Sequence, residues 1–210
     1  MGVLVKICGI NSLEAADAAA EAGVDFAGLQ FHKKSPRNVI PEQARALVAR
    51  LRGRTKVVGV LTDPSDAEIG MAMETAVPDF LQLHGSETPA RVTEIRSRFG
   101  VPVIKVFQIA DAVDLAQIDD HDAEMLLFDA KPPKDAAFPG GHGAAFDWQL
   151  LRGRSFARPW LLAGGLNAGN VARALAASGA AGVDVASGVE TAPGVKSPVM
   201  IREFVRQART

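Results

Sequence analysis

The strongest constraint on the fold is a series of eight short apolar runs, rich in β-branched residues, that recur at nearly even spacing through the 210-residue chain. Within each run the apolar residues are continuous and do not alternate with polar ones. This pattern is typical of strands buried on both faces, as in a parallel sheet covered by helices. The predicted strands are residues 3–7, 25–31, 56–61, 79–83, 103–107, 125–128, 160–163 and 182–186.

A helical segment is expected after each of these runs. The helix-start signals include Ser65, which precedes two acidic residues, and Asn167, which follows the seventh run. Eight strand–helix units predict a (β/α)8 barrel, although a doubly wound open sheet would accept the same alternation. No linker or shift in composition divides the chain, so residues 1–210 are expected to form a single barrel domain.

The charge and cysteine content exclude several classes of protein. The net charge is −1, from 23 basic and 24 acidic side chains, whereas nucleic-acid binding usually needs a basic face. A single cysteine, Cys8, cannot form an internal disulfide. The first ten residues lack the apolar core of a signal peptide, and no stretch resembles a membrane span. We therefore expect a cytoplasmic protein that binds neither nucleic acid nor membrane.

Five side chains capable of chemistry or binding fall where the active site of such a barrel is expected. In a (β/α)8 barrel that site lies at the carboxyl ends of the strands and in the loops that follow. Cys8 ends the first strand, and Arg37 lies in the loop after the second. His84 follows the fourth strand, Asp129 ends the sixth, and Asp184 lies in the eighth.

Two glycine-containing segments predict a phosphate site. LAGGLN places Gly164 and Gly165 after the seventh strand, and VASGVE places Ser187 and Gly188 after the eighth. Glycine allows the backbone to approach an anion closely, and this pair of loops is the usual phosphate site of a barrel. The alternative is that these glycines only form tight turns.

Each acid–base candidate also has a purely structural interpretation. Cys8 follows a buried strand, so it is either a small packing residue or, near phosphate-binding amides and Arg37, an activated base. Asp129 closes the hydrophobic run LLFD and is either a cap or a partly desolvated proton donor. His84 is a third acid–base candidate, but a lone histidine in a turn is more often a hydrogen-bonded structural residue.

No metal site is expected. The chain has four histidines, His32, His84, His121 and His142, and their spacing matches neither HxH nor HExxH.

One long connection, residues 130–146, carries three prolines and three glycines without helical periodicity. Loops of this length in a compact domain are usually functional or disordered.

Eight segments of the sequence resemble the phosphoribosylanthranilate isomerase family, and they occur in the order and spacing of that family. The segments are VKICGI (5–10), FHKKSPRNV (31–39), LQLHG (81–85), LLFDAK (126–131), GGHGAAFDW (140–148), LAGGLN (162–167), VDVASGVE (183–190) and PGVKS (193–197). Three positions depart from the usual family pattern, namely His142, Ala186 and Ser197, and none of them is the proposed acid or base.

The resemblance implies a cofactor-free Amadori rearrangement in tryptophan biosynthesis. In this family N-(5-phosphoribosyl)anthranilate becomes 1-(2-carboxyphenylamino)-1-deoxyribulose 5-phosphate, so the implied partner is a small phosphosugar substrate. The family includes monomers and dimers, so the resemblance implies either a monomer or a homodimer. Cys8 corresponds to the general base and Asp129 to the general acid. Arg37 corresponds to the arginine that faces the anthranilate carboxylate.

The remaining binding residues follow from the same resemblance. The phosphate grip corresponds to Gly164, Gly165, Ser187 and Gly188, while Asp184 and His84 correspond to residues near the substrate.

Two alternatives remain open. The Amadori isomerase of histidine biosynthesis uses the same chemistry on a barrel, but it typically pairs two aspartates and shows a twofold repeat. This chain has Cys8 where that enzyme would need an aspartate. The second alternative is a phosphate-binding barrel without catalytic activity.

Overall fold

Eight parallel strands close into a barrel. The computed structural model describes residues 2–115, 118, 121–131 and 146–210. Each strand pairs with the next along the chain, and the eighth pairs with the first. The strands are β1 Leu4–Cys8, β2 Phe26–Gln30, β3 Lys56–Leu61, β4 Phe80–Leu83, β5 Val103–Ile109, β6 Met125–Ala130, β7 Trp160–Leu162 and β8 Gly182–Val185. The predicted barrel is confirmed, and the open sheet is excluded.

Helices cover the outside of the barrel after six of the eight strands. They are α1 Leu13–Glu21, α2 Pro41–Leu51, α3 Asp66–Ala76, α4 Pro89–Phe99, α5 Val171–Ser178 and α6 Pro198–Ala208. After β5 and β6 the described residues hold only short 3-10 turns, at Ala112–Leu115 and Trp148–Leu151. The expectation of a helix after every strand is therefore wrong at these two connections, as far as the chain is described. Among the described residues, none of the helices has the length and apolarity needed to cross a membrane.

The helix-start signals were partly right. Ser65 caps α3 through a capping box with Glu68, in which each side chain bonds the other residue's backbone N–H. Asn167 does not open α5. Its side chain instead accepts a hydrogen bond from the backbone of Gly169, which forms a separate turn, and the helix begins at Val171. Most of the long connection predicted as a loop, residues 132–145, lies outside the described residues.

The strands are buried on both faces, which explains their continuous apolar runs. One set of side chains fills the barrel and includes Val58, Val60, Ile104 and Leu127. The alternate positions pack beneath the helices in a larger outer core. Five polar residues of the barrel strands are also buried, namely Lys6, Gln82, Lys105, Asp129 and Asp184. Buried polar groups need hydrogen-bond or charge partners, so these residues indicate where a functional site could lie within the barrel.

A small antiparallel ribbon follows β8. Its strands are β9 (Glu190–Ala192) and β10 (Val195–Lys196), and they are joined through Gly194 at φ +79°. A side chain at Gly194 would overlap the carbonyl group of Pro36, so the ribbon lies directly against the loop after β2. Through this contact the ribbon brings charged side chains close to Arg37.

Candidate active site

Cys8 is the last residue of β1, at the end of the barrel where the strands terminate. It is a free thiol and is 7% exposed. The chain turns away at Gly9, whose φ of +76° favours glycine. Lys6, two residues earlier on the same strand face, is completely buried, and its Nζ lies 2.8 Å from Asp184 Oδ1. The first strand thus contributes a thiol and a paired ammonium to one side of the barrel.

Burial and charge act in opposite directions on this thiol. Burial raises the pKa of Cys8, and the Asp184 carboxylate raises it further. The ammonium groups of Lys6 and Lys196 oppose the rise because they stabilise the thiolate, but they do not cancel it, and the pKa of Cys8 is raised. Burial alone would lower the pKa of Lys6, but Asp184 and the Cys8 sulfur outweigh it, and the pKa of Lys6 is raised. Lys6 therefore remains an ammonium although it has no exposure to solvent.

Asp129 ends the hydrophobic part of β6 and is 7% exposed. Its Oδ1 accepts a hydrogen bond of 2.8 Å from the backbone N–H of Ala130. Its Oδ2 lies 3.4 Å from His84 Nε2. The two atoms are not aligned for a hydrogen bond, and His84 Nε2 has no other hydrogen-bond partner among the described residues. Gln82 lies behind the imidazole, with its Nε2 3.4 Å from His84 Nδ1. The structure thus brings together two predicted site residues, Asp129 and His84.

Arg37 forms a two-point ion pair with Glu190. Its Nε and Nη2 donate hydrogen bonds of 2.7 and 2.9 Å to the two carboxylate oxygens. The aliphatic part of Arg37 packs over Gly9, where a β-carbon would overlap it. Lys196 donates to the same carboxylate at 2.8 Å and to the carbonyl oxygen of Ala186. The arginine is therefore fixed beside the end of β1, with Nη1 outside the ion pair.

Glu190 and Lys196 are functional candidates that the sequence analysis did not single out. Burial would raise the pKa of Glu190, but the Arg37 and Lys196 charges outweigh it, and the pKa is lowered. Burial lowers the pKa of Lys196 despite the neighbouring Glu190 carboxylate. The sequence feature that could have identified them is that each is a charged residue within a family-like segment, Glu190 in VDVASGVE and Lys196 in PGVKS.

The glycine loops after β7 and β8 lie against each other. Gly164 and Gly165 have φ values of +88° and +64°. A β-carbon on Gly164 would lie 2.7 Å from the backbone nitrogen of Ala130, so this loop also borders Asp129. A β-carbon on Gly188 would overlap the carbonyl oxygen of Leu166. Ser187 begins a one-turn 3-10 segment, Ser187–Val189. The four predicted phosphate residues thus occur in two loops in direct contact.

A cleft of about 680 Å3 opens among the loops that follow β3, β4 and β5, and His84 is one of its lining residues. A buried ion pair lies beside it, with Lys105 Nζ 2.7 Å from Glu87 Oε2. Glu87 also accepts hydrogen bonds from the backbone N–H groups of Asp63 and Gly85. It therefore holds two loops in place. No cluster of three or more metal-binding side chains occurs in the described ranges.

A closed (β/α)8 barrel with a buried thiol and a buried carboxyl group at the ends of its strands places this chain in the class of (β/α)8-barrel enzymes. Within that class the chain belongs to the N-(5'-phosphoribosyl)anthranilate isomerase family, whose family model matches residues 5–207. It is 50% identical over 211 residues to the N-(5'-phosphoribosyl)anthranilate isomerase of Paramagnetospirillum magneticum, and the match covers 100% of this chain and 98% of the relative.

Solved structures give the same result. The phosphoribosyl anthranilate isomerase of Thermotoga maritima is 34% identical, with a TM-score of 0.86 and 98% of each chain covered. A second similar structure is a phosphoribosyl anthranilate isomerase in complex with reduced 1-(o-carboxyphenylamino)-1-deoxyribulose 5-phosphate. It is 32% identical, with a TM-score of 0.83 and the same coverage of both chains.

Proposed function

We propose that this chain isomerises N-(5'-phosphoribosyl)anthranilate to 1-(2-carboxyphenylamino)-1-deoxyribulose 5-phosphate in tryptophan biosynthesis. The observation that carries the proposal is a buried thiol at the end of β1 and a buried carboxyl group at the end of β6 of one barrel. An Amadori rearrangement needs a proton donor for the ring oxygen and a proton acceptor for C2, and these two groups can fill both roles. The identity of the substrate is inferred from membership of the isomerase family.

In the first step Asp129 acts as the general acid. It gives its proton to the ring oxygen of the ribose as the bond between that oxygen and C1 breaks. The anthranilate nitrogen donates its electron pair to C1, which forms a protonated imine. The bond to the backbone of Ala130 fixes one carboxyl oxygen and leaves Oδ2, beside His84, as the atom that carries the proton.

In the second step Cys8 acts as the general base. The imine withdraws electrons from C2, which acidifies the proton on that carbon, and the thiolate removes it. The product is an enolamine, which becomes the ketone when its hydroxyl group loses a proton and C1 gains one. No electrons are gained or lost overall, so the reaction needs no redox cofactor. The short distance between Lys6 and Asp184 keeps a cation close to the base.

The binding roles are divided between Arg37 and the two glycine loops. Arg37 is proposed to bind the anthranilate carboxylate through Nη1, while Glu190 holds the opposite edge of its guanidinium. Gly164, Gly165, Ser187 and Gly188 are proposed to bind the phosphate through backbone N–H groups.

Asp184 and His84 are proposed to act at the edges of the substrate site. Asp184 would do so mainly through Lys6, and His84 through its position beside Asp129. The proposed setting is the cytoplasm, which is consistent with a chain that has one free thiol and no disulfide.

The test is turnover of two Amadori substrates by the purified wild-type chain. Loss of anthranilate-type fluorescence reports the proposed reaction, and the aminoaldose of histidine biosynthesis is assayed in parallel. We expect turnover of the anthranilate substrate and a much lower kcat/KM for the other. Exclusive turnover of the histidine-pathway substrate, or phosphosugar binding without turnover, would contradict the proposal.

A further inference from the structure

We propose that Lys6 is a positioning residue that favours the thiolate form of Cys8, and that Asp184 holds the Lys6 ammonium beside the sulfur. The inference rests on the proposed role of Cys8 as the base. It assigns the Lys6–Asp184 pair to the proton chemistry of the site and not to the stability of the barrel alone.

The first support is the position of Lys6 inside the barrel. Successive side chains of a strand point to opposite faces, so Lys6 and Cys8 share the inner face of β1. Lys6 is directly opposite Asp184 in the pairing of β1 with β8. Its Nζ donates one 2.8 Å hydrogen bond to Asp184 Oδ1. A completely buried ammonium is costly to desolvate, and it is retained here between a carboxylate and a thiol.

The second support is a gap on the neighbouring strand. Gly28 of β2 is paired with Cys8, and it has no side chain at the point where two groups converge. A β-carbon built on Gly28 would lie 3.2 Å from Cys8 Sγ and 3.3 Å from Lys6 Nζ. The sulfur and the ammonium therefore both border the same small space, which a larger residue would fill.

The other charges around the thiol do not replace Lys6. Lys196 of β10 also faces Cys8, but its ammonium is bonded to Glu190, which is itself paired with Arg37. The Asp184 carboxylate of β8 faces the thiol as a like charge to the thiolate. Burial raises the pKa of Cys8, and Lys6 is the largest opposing influence. Without Lys6 the thiol would stay protonated to higher pH.

The composition of the chain makes this coupling directly measurable. Cys8 is the only cysteine, and the chain has no tyrosine, so the ultraviolet absorbance of the thiolate can be followed during a pH titration without a tyrosinate signal. In Lys6→Met we expect the midpoint for thiolate formation to rise by about one pH unit or more, because a neighbouring opposite charge typically shifts a pKa by 1–3 units. We also expect kcat/KM at neutral pH to fall about tenfold or more and to recover as the pH is raised.

Lys105→Met is the matched control. Lys105 is also buried and also bonded to a buried carboxylate, at 2.7 Å from Glu87 Oε2, but its strand neighbours do not include Cys8. If the loss of any buried ion pair loosened the barrel and changed the thiol indirectly, Lys105→Met would shift the midpoint too. We expect its midpoint to equal that of the wild type.

A second variant covers the case in which Lys6→Met does not fold. Lys6→Met/Asp184→Asn removes both charges together and so leaves no unpaired charge in the barrel. Its midpoint should also rise, since the Lys6 ammonium influences the thiol more strongly than the Asp184 carboxylate that is lost with it. An unchanged or lower midpoint in whichever variant folds would overturn the role of Lys6. Failure of the proposed function can be distinguished from failure of this inference. Turnover by Cys8→Ala tests only whether the thiol is the base, whereas the pH titrations of the wild type and the Lys6 variants test whether Lys6 favours the thiolate.

Discussion

Cys8 and Asp129 have different surroundings, and the difference suits their proposed roles. Cys8 faces the ammonium groups of Lys6 and Lys196, which favour its thiolate form against the opposing effects of burial and the Asp184 carboxylate. Asp129 has one oxygen fixed by a backbone N–H, and the other is beside His84. Cys8, which must lose its proton to act as a base, lies near two ammonium groups. Asp129, which must hold a proton to act as an acid, has one oxygen that accepts no hydrogen bond from a cationic side chain of the described residues. The distribution of charge thus separates the two proton-transfer steps.

At the same scale, Glu190→Gln should weaken substrate binding more than catalysis. The amide offers one acceptor oxygen where the carboxylate offers two, so Arg37 loses part of its two-point contact and is less well oriented. A charge-assisted hydrogen bond contributes about 1.5–3 kcal/mol, so we expect KM to rise about tenfold or more, with a smaller change in kcat. Steady-state kinetics measure both values.

Glu203→Gln is the control for that substitution. Glu203 also pairs with an arginine, Arg206, but on the exposed surface of α6. Its KM should match that of the wild type. If Glu190→Gln showed an unchanged KM as well, Glu190 would have no part in orienting Arg37 for the substrate.

At the scale of elements, the loops after β7 and β8 depend on close backbone contact. The carbonyl group of Leu166 occupies the space that a side chain on Gly188 would need. Both loops contain proposed phosphate ligands, so their spacing determines where the backbone N–H groups meet the anion. A glycine is required at this position for packing, whatever the turn geometry.

Gly188→Ala should therefore separate the two loops and raise KM for the phosphorylated substrate. The β-carbon has to displace backbone atoms, which cannot move as easily as a flexible side chain. Gly70→Ala is the control, because Gly70 lies within α3 and a β-carbon there meets nothing within 4 Å. That variant should be more stable than the wild type by about 0.5–1 kcal/mol in urea unfolding, with unchanged KM. Equal KM values for the two variants would contradict the role of the loops.

The sequence predicts the elements better than it predicts the contacts between them. The eight strands were predictable because each is a continuous apolar run, and Cys8 and Asp129 followed from their positions at strand ends. The 3-10 turns after β5 and β6 were not predictable, because the expected helices at these places were inferred from the regular strand–helix alternation in the rest of the chain. Glu190 was missed because its partner Arg37 is 153 positions away in sequence, and Lys196 was missed because it joins the cluster only through Glu190.

At the scale of the whole molecule, closure of the barrel assembles the site. The pairing of β1 with β8 places Lys6 opposite Asp184, which is 178 residues away in sequence. The ribbon after β8 then packs on the loop after β2 and completes the ion pairs around Arg37. The charged cluster exists only in the closed barrel, so the conditions that break its ion pairs should also weaken the fold.

Acidification should therefore destabilise the protein in a way that depends partly on Glu190. The pKa of Glu190 in the folded protein is lowered from the ordinary value of 4.5. A lowered folded pKa gives stability that is present above the ordinary value and is lost as the pH falls through the folded value. We expect the free energy of unfolding, from urea titrations at a series of pH values, to decrease below about pH 4.5. The decrease should be shallower in Glu190→Gln, and identical slopes would show that this carboxylate does not contribute.

The most direct test of the acid–base assignment is turnover of N-(5'-phosphoribosyl)anthranilate by Cys8→Ala and Asp129→Asn, followed by loss of substrate fluorescence. Binding of reduced 1-(o-carboxyphenylamino)-1-deoxyribulose 5-phosphate serves as the check that each variant retains a formed site. A positioned acid or base contributes about 10²- to 10⁴-fold, so we predict that kcat falls by at least this factor in each variant while the reduced compound still binds. A Cys8→Ala protein that turns over substrate at the wild-type rate would contradict the assignment of Cys8 as the base.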